Sequence, residues 1–265
     1  MSVSIDPLVA PLPAEVPLKE SPLVRVIAQL RFPEILSIGQ QDFVAPFQEA
    51  IRPIYPILRQ DQAPSEVIGM GVVTLTKPPQ NIWRFGDADG RWRVSLAPDF
   101  LALETTHYVN RTDFVERLKT VVQVLDKYVK PAQADRLGLR YINRLTGKAV
   151  DDIATLVRPE VCGIAGTAAA KHAAHIMSQS MFEVEGACVL ARWGSFPPNA
   201  VIDPTAFEAV EDKSWILDLD MFSSAPAPFG VDWIAEQTRR YAERIYTIFR
   251  WAITEQFLSR YGGKS

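Results

Sequence analysis

Short runs rich in branched apolar and aromatic residues predict a series of β-strands along the chain. The runs at residues 23–32 and 66–76 have the composition of strands. The GDADG segment at residues 86–90 separates two aromatic-rich runs, which indicates a β-hairpin. Further strands are predicted through Leu101 and Leu103, at residues 136–145, on both sides of a turn near Glu185–Gly186, and at residues 215–223.

Apolar residues at intervals of three and four predict the helices. The clearest helix lies within residues 111–131, where Asn110 or Thr112 can cap the start and Pro131 marks the end. A long helix is predicted over residues 231–261, with Asp232 as a capping candidate and Gly262 as the stop. A helix that begins near residue 41 should bend or end at Pro53 and Pro56, and a short one is predicted at residues 151–163.

The order of these elements predicts an α+β fold in which antiparallel sheets pack against helices. Consecutive hairpins and a terminal helix favour this class over a repeating βαβ arrangement. Residues 23–265 form the predicted α+β domain, and the pattern also suggests two similar halves, 23–150 and 151–265, each a curved sheet that grips a helix. Residues 1–22 form a proline-rich arm, for which the alternatives are a disordered leader or a segment that docks on a partner chain.

Composition limits the classes of protein to which the chain could belong. With 265 residues, 48% of them hydrophobic, the chain can bury the core of one large domain or two small ones. The two cysteines, Cys162 and Cys188, imply no disulfide framework, so we expect reduced thiols in the cytoplasm. The N-terminal residues do not have the pattern of a signal peptide, and no apolar run has the length of a membrane span, so we expect no membrane association.

Nucleic acid is not expected as a partner. The formal net charge of −3 argues against binding that relies on bulk positive charge. Trp83, Phe85 and Trp92 alternate with arginines, as in a surface that stacks single-stranded nucleic acid. The same pattern is more typical of a hairpin whose aromatic residues face the core, and we favour that interpretation.

The segment RLGLRYINRL, residues 136–145, carries the principal candidate site. A strand sends alternate side chains to opposite faces, so Arg136, Arg140 and Arg144 should share one face. Asp218 and Asp220 alternate in the same way in LDLD. Either the arginines pair with carboxylates on neighbouring strands, or they bind the carboxylate or phosphate of a small anionic ligand. These five residues are our candidate ligand-binding residues, and both interpretations remain open.

A catalytic or metal site has weaker support in the sequence. Glu183 and Glu185 could join the two aspartates to hold divalent cations, as in a metal-dependent phosphodiesterase or nuclease. His172 and His175 form an HxxH pattern, but a third ligand at a diagnostic spacing is lacking. The sequence contains no GxSxG, GxGxxG or GxxxxGK[ST] motif. We therefore predict no catalytic residue, no metal and no cofactor.

Four stretches together resemble one family of prokaryotic proteins. They are PLVRVIAQLRFP, VSLAPDFLALETTHYVNRTDFVERL, RLGLRYINRL and RIYTIFRWAITEQF. The family is sporadically distributed, its members have about this length, and they are generally labelled as proteins of unknown function. The resemblance extends from about residue 20 to residue 260, and RLGLRYIN is its most specific motif. It transfers no residue role, but such patchy distribution often accompanies mobile or defence-associated genes, including toxin–antitoxin and phage-defence loci.

These observations lead to one principal functional expectation and two alternatives. We expect a non-catalytic protein-binding module, such as an accessory or neutralising subunit of a prokaryotic defence or toxin–antitoxin-like system. The last predicted helix is apolar on more than one side at YTIFRWAI, so it could also join copies of the chain into a homo-oligomer. The alternatives are a protein that binds a small anionic ligand through Arg140 and Arg144, and the metal-dependent phosphodiesterase.

Overall fold

The computed structural model describes residues 6–62, 67–68, 75–76, 81–184, 186–201, 203–204 and 206–263. They form an α+β fold of antiparallel strands and packed helices, as the sequence predicts. The chain divides into two compact units, and each draws on separate stretches of the sequence. Unit 1 comprises Met1–Val26, Leu139–Ser224 and Arg240–Ser265, whereas unit 2 comprises Ile27–Gly138 and Ala225–Arg239. The predicted halves follow the order of the chain, and these units do not.

The elements are numbered in chain order. The strands are β1 (Leu23–Arg31), β2 (Ile57–Gln62), β3 (Val67–Ile68), β4 (Leu75–Thr76), β5 (Asn81–Gly86), β6 (Trp92–Ala97), β7 (Phe100–Thr105), β8 (Gln133–Ala134), β9 (Arg136–Thr146), β10 (Ile176–Val184), β11 (Ala187–Phe196), β12 (Ser214–Ser223) and β13 (Ala227–Pro228). The α-helices are α1 (Gln41–Ile51), α2 (Arg111–Tyr128), α3 (Lys148–Asp151), α4 (Ile153–Leu156), α5 (Pro159–Cys162), α6 (Val231–Ala252) and α7 (Glu255–Arg260). Short 3-10 turns lie at Leu36–Gly39, Gly163–Gly166 and Ala168–His172.

The strands of unit 2 follow the order β1-β7-β6-β5-β2. The predicted hairpin at GDADG is confirmed: β5 and β6 pair antiparallel, and Gly90 has a positive φ of 69°. Strand β2 was not predicted, because all six of its residues are exposed and it therefore lacks an apolar alternation. Of the predicted strand at residues 66–76, only β3 and β4 belong to the described residues, and they pair antiparallel.

The core of unit 2 lies between its sheet and the helices α1 and α2, which pack against each other. The predicted cap of α2 is confirmed, because the side chain of Asn110 accepts a hydrogen bond from the backbone N–H of Asp113 at 2.9 Å. Trp83, Phe85 and Trp92 are all buried. The indole N–H of Trp83 donates to the carbonyl of Ile38 at 2.7 Å. The aromatic hairpin therefore contributes to the core and does not form a stacking surface.

The strands of unit 1 follow the order β10-β11-β12-β9. Strands β10 and β11 form the predicted hairpin, which turns at Gly186 with a φ of 71°. Strand β12 pairs antiparallel with β11, so that Asp218 lies opposite Arg192. This register is the feature of the fold that builds the candidate site.

The long helix predicted over residues 231–261 is interrupted, so that prediction was wrong in its middle. Helix α6 ends at Ala252, and Ile253 forms a β-bridge with Val157. Thr254 then caps α7 by accepting from the backbone N–H of Phe257. The same bridge explains why the helix predicted at residues 151–163 is interrupted at Val157, between α4 and α5. A residue that is extended to pair with another segment cannot keep the dihedral angles of a helix.

Gly194 provides a test of the packing between β10 and β11. A Cβ at this buried position would lie 1.9 Å from the carbonyl oxygen of Ile176 on the neighbouring strand. We therefore expect Gly194→Ala to lower the free energy of unfolding by about 1–3 kcal/mol, measured by urea denaturation. Gly39→Ala is the matched control, because a Cβ there meets no atom within 4 Å. Equal stability of the two variants would contradict this packing.

Candidate functional site

The arginines of RLGLRYINRL occupy the half-buried positions of a strand that is otherwise largely buried. Between Leu137 and Leu145, the residues of β9 other than Arg140 and Arg144 are buried, on both faces of the strand. Strand β9 lies beside β12 in the sheet of unit 1. The face that carries Arg140 can therefore meet side chains of β12 directly.

Asp218, in the middle of β12, is the centre of a charged cluster. Its side chain is completely buried, with an exposed fraction of 0%. Arg140 binds it at two points, because Nε lies 2.8 Å from Oδ1 and Nη2 lies 2.8 Å from Oδ2. Arg192 on β11 approaches from the other side, with Nη2 2.6 Å from Oδ2. A buried carboxylate with two guanidinium partners keeps its charge only because these partners replace the lost water.

Asp203 completes the cluster from the segment between β11 and β12. One of its carboxylate oxygens lies 2.8 Å from Nη1 of Arg140, so the guanidinium group contacts two carboxylates. Burial lowers the pKa of Arg140, but hydrogen bonds and charge attraction from Asp218 and Asp203 outweigh this effect, so the pKa is raised. Arg140 is therefore held as a cation whose contacts with Asp218 and Asp203 lie within the protein. Few of its donors are left for an anionic ligand.

Arg144 has a different environment, although it lies on the same strand. Its Nη2 donates to the backbone carbonyl of Glu208, and its guanidinium carbon lies 4.9 Å from the ring centroid of Phe207. Its Nε is buried and has no hydrogen-bond partner among the described residues. Burial and the nearby charge of Arg25 on β1 lower the pKa of Arg144, and the charge of Glu208 acts in the opposite direction. Arg144 is thus the arginine of β9 that could still donate to an anion.

Arg136 belongs to unit 2, whereas Arg140 and Arg144 belong to unit 1. Its guanidinium group lies over Gly138, where an added Cβ would come within 2.7 Å of Nη1. Glycine at position 138 thus provides the space that the arginine side chain occupies. The alternation of the strand is present, but the three arginines do not share one set of partners.

Of the predicted Arg–carboxylate ladder, the structure shows the pair of Arg140 and Asp218. On β11, the residue opposite Asp220 is Leu190. Glu183 is exposed on β10, opposite Cys188, and two strands lie between β10 and β9. Glu185 lies outside the described residues. The described acids are therefore not gathered into one group of carboxylates.

Sequence reasoning missed Arg192 and Asp203. Arg192 has the same alternating signal as the other strand arginines, within ACVLARWGSF, but only the register of β11 on β12 places it opposite Asp218. Asp203 lies outside the regular strands, so no periodicity could have indicated it. Only the tertiary structure brings Asp203 to Arg140 and Arg192 to Asp218.

Metal ligands do not cluster in the part of the chain that the structure describes, where no group of three or more His, Cys, Asp or Glu side chains could hold an ion. His172 ends a 3-10 turn, and His175 lies just before β10. Cys162 is a buried free thiol whose pKa is raised by burial, which is unfavourable for a thiolate ligand or nucleophile.

Comparison with known proteins gives no further assignment. No protein-family model matches the chain, and no curated protein matches it. Within the described residues, none of the helices combines the length and the apolar character needed to cross a membrane.

The charged cluster predicts that loss of Arg140 destabilises the protein far more than loss of an exposed arginine. Arg140→Ala should lower the free energy of unfolding by about 3–5 kcal/mol, because it removes the two-point partner of a fully buried carboxylate. Arg239→Ala is the matched control, since its pair with Glu236 is exposed and lies within one turn of α6, and it should change stability by less than about 0.5 kcal/mol. Urea denaturation compares the two variants. If they were equally stable, the Asp218 cluster would not be a determinant of the fold.

Proposed function

We propose that the chain is a non-catalytic protein-binding module that accepts a strand of a protein partner along the edge of β10. The observation that supports the proposal is that this edge has no pairing strand among the described residues. Strand β10 is the last strand of its sheet, and along its outer side no strand of the described residues pairs with it. Edge strands offer a row of backbone N–H and C=O groups to which an extended peptide can bind.

The side chains of β10 leave this edge open. The strand has nine residues, and alternate positions are exposed, including Met177 and Met181 with exposed fractions of 53% and 56%. Glu183 is its only charged residue, and it contains no proline. Proteins usually protect long edges with charges, prolines or bulges. Exposed methionines instead form an adaptable apolar surface, as on proteins that bind varied partners.

Strand β2, the last strand of the unit 2 sheet, provides a useful contrast. It has six residues, and its sequence ILRQDQ places Arg59 and Asp61 at an edge where all side chains are exposed. Charges at these positions disfavour the addition of another strand. The difference between the two edges supports β10 as the surface for a partner.

The geometry of the charged residues supports a binding role over the enzymatic alternative. Asp218 would have to bind cations in a phosphodiesterase, yet it is fully buried and in contact with two guanidinium groups. Glu183 lies on β10 opposite Cys188, and no group of three or more possible metal ligands forms among the described residues. The proposed setting, a prokaryotic defence or toxin–antitoxin-like system in the cytoplasm, rests on the family resemblance and on the two free thiols.

Binding along β10 can be tested with the products of neighbouring genes. Each product is co-expressed with the chain, and any complex is measured by isothermal titration calorimetry. We expect one strong binder, whose affinity falls by tenfold or more in the Met177→Lys/Met181→Lys variant, because two lysines on the edge disfavour strand addition. Both side chains are exposed, so the variant should keep its stability.

Ile57→Lys is the matched control, since it adds a lysine at a half-exposed position on the other edge, β2, and should leave the affinity unchanged. A partner that binds the β10 variant and the wild-type chain equally well would exclude this surface. A chain that stays monomeric at high concentration and binds none of the neighbouring products would argue against the module as a whole.

Arg144 favours a second candidate function, the binding of a small anionic ligand. Its Nε is buried without a hydrogen-bond partner among the described residues, and Arg25 adds a second positive charge nearby. A phosphate or carboxylate could accept a hydrogen bond from this Nε. The ligand would thus contact Arg144, whereas Arg140 is occupied by Asp203 and Asp218.

This second function predicts a shift in melting temperature with anions. Inorganic phosphate, at millimolar concentration, should raise the melting temperature of the wild-type chain more than chloride of the same ionic strength does. The difference should disappear in Arg144→Gln and persist in Arg239→Ala, whose arginine pairs with Glu236 on α6. A phosphate effect that survives in Arg144→Gln would contradict a site at this residue.

A further inference from the structure

The proline-rich arm lies on α6 of its own chain. Residues 1–22 were predicted as an arm that is either a disordered leader or a segment that docks on a partner, and the structure gives residues 6–20 contacts within unit 1. Asp6 starts a turn by accepting the N–H of Ala10 at 2.9 Å. Residues 11–18 then continue without helix or strand, and Glu20 donates to the carbonyl of Tyr261, after α7, at 3.2 Å.

Three side chains of α6 bind backbone groups of the arm. Arg244 donates from Nη1 to the carbonyls of Pro7 and Ala10 at 3.0 and 2.7 Å. The hydroxyl of Tyr246 accepts the N–H of Val16 at 2.8 Å and lies 3.3 Å from the carbonyl of Ala14. We call Arg244, Tyr246 and Arg250 the arm-binding face of α6.

Arg250 adds a third donor to this face, because its Nη1 lies 3.2 Å from the carbonyl of Ala14. In each of these contacts the arm contributes a backbone group, which every amino acid possesses. These contacts require an extended backbone whose carbonyl groups are free to accept. Recognition of proline-rich segments by aromatic and polar side chains works in the same way.

After the turn, the half-buried residues of the arm up to Val16 lie three residues apart, at Ala10, Pro13 and Val16. Leu12 is 43% exposed, and Leu18 is half-buried where the arm meets the end of α7. A period of three is that of a polyproline II helix, in which every third side chain falls on the same face. The prolines favour this extended form before binding, so less conformational entropy is lost when the arm docks.

The end of α7 is shaped to fit the same segment. Gly262 and Gly263 close the helix in a Schellman motif, with the N–H of Gly263 donating to the carbonyl of Leu258 at 2.8 Å. A Cβ on Gly263 would lie 3.0 Å from the side chains of Val16 and Leu18. The glycine therefore allows the arm to approach closely.

We propose that the arm-binding face of α6 is a docking site for proline-rich extended peptides, and that residues 6–20 are its intramolecular ligand. A partner with an extended proline-rich segment would compete with the arm for Arg244, Tyr246 and Arg250. The arm then regulates the access of such a partner to the arm-binding face, because a tethered ligand has an effective concentration of the order of millimolar. This surface consists of other residues than the β10 edge and does not depend on it.

The test is binding of the arm as a free peptide to the full-length chain. A fluorescein-labelled peptide of residues 6–20, DPLVAPLPAEVPLKE, is titrated with the wild-type chain and with Pro13→Gly/Val16→Pro, and anisotropy reports binding. The substitutions weaken the docking of the tethered arm and leave the labelled peptide unchanged. Val16→Pro removes the N–H that binds Tyr246, and Pro13→Gly makes the undocked arm more flexible. We expect the double variant to bind the peptide about tenfold more tightly than wild type does.

Two controls make the outcome decisive. In the double variant, Tyr246→Phe keeps the ring and removes the hydroxyl, so the peptide affinity should fall about fivefold, whereas Arg239→Ala should leave it unchanged. A scrambled peptide of the same composition should bind more weakly than the arm sequence. Equal binding of the arm peptide to wild type and double variant, or no binding to either, would overturn the proposal.

Discussion

The buried carboxylate of Asp218 is the constraint on which the sheet of unit 1 depends. It has no contact with water, and two arginines on the adjacent strands β9 and β11 neutralise its charge. If any of these three strands slipped by one residue, one member of the cluster would turn to the opposite face. The carboxylate would then lose one or both of its guanidinium partners, which is costly for a buried charge. The cluster thus selects one register among the hydrophobic alternatives.

The same constraint limits the use of the arginines for an anionic ligand. A strand with three arginines has the appearance of an anion-binding surface, but Arg140 donates to two carboxylates. Arg144 lies outside the Asp218 cluster, and its Nε has no hydrogen-bond partner among the described residues. Both proposed peptide-binding surfaces instead depend on backbone hydrogen bonds. One offers the open edge of β10, and the other places donors of α6 along an extended arm.

The arm also gives a physical reason for the composition of α6. Its polar residues Arg244, Tyr246 and Arg250 lie on the side that meets residues 6–20, where each donates to a backbone carbonyl. A face that would otherwise require water or a partner is thus covered from within the chain. The segment YTIFRWAI suggested a contact between subunits, and part of its surface serves a contact within one subunit. The edge of β10 is therefore unpaired among the described residues, whereas this face of α6 is covered by the arm.

The sequence by itself determined the elements whose signals are local. The hairpin at GDADG, the cap at Asn110 and the strands β9 and β12 follow from periodicity and turn chemistry, which act between near neighbours. Only the tertiary structure decided the partners. It placed Arg192 and Asp203 in the Asp218 cluster, interrupted the last helix through the bridge of Val157 with Ile253, and docked the arm on α6. These contacts join residues far apart in the chain, and their energy comes from burial and charge pairing, which no local pattern of residues records.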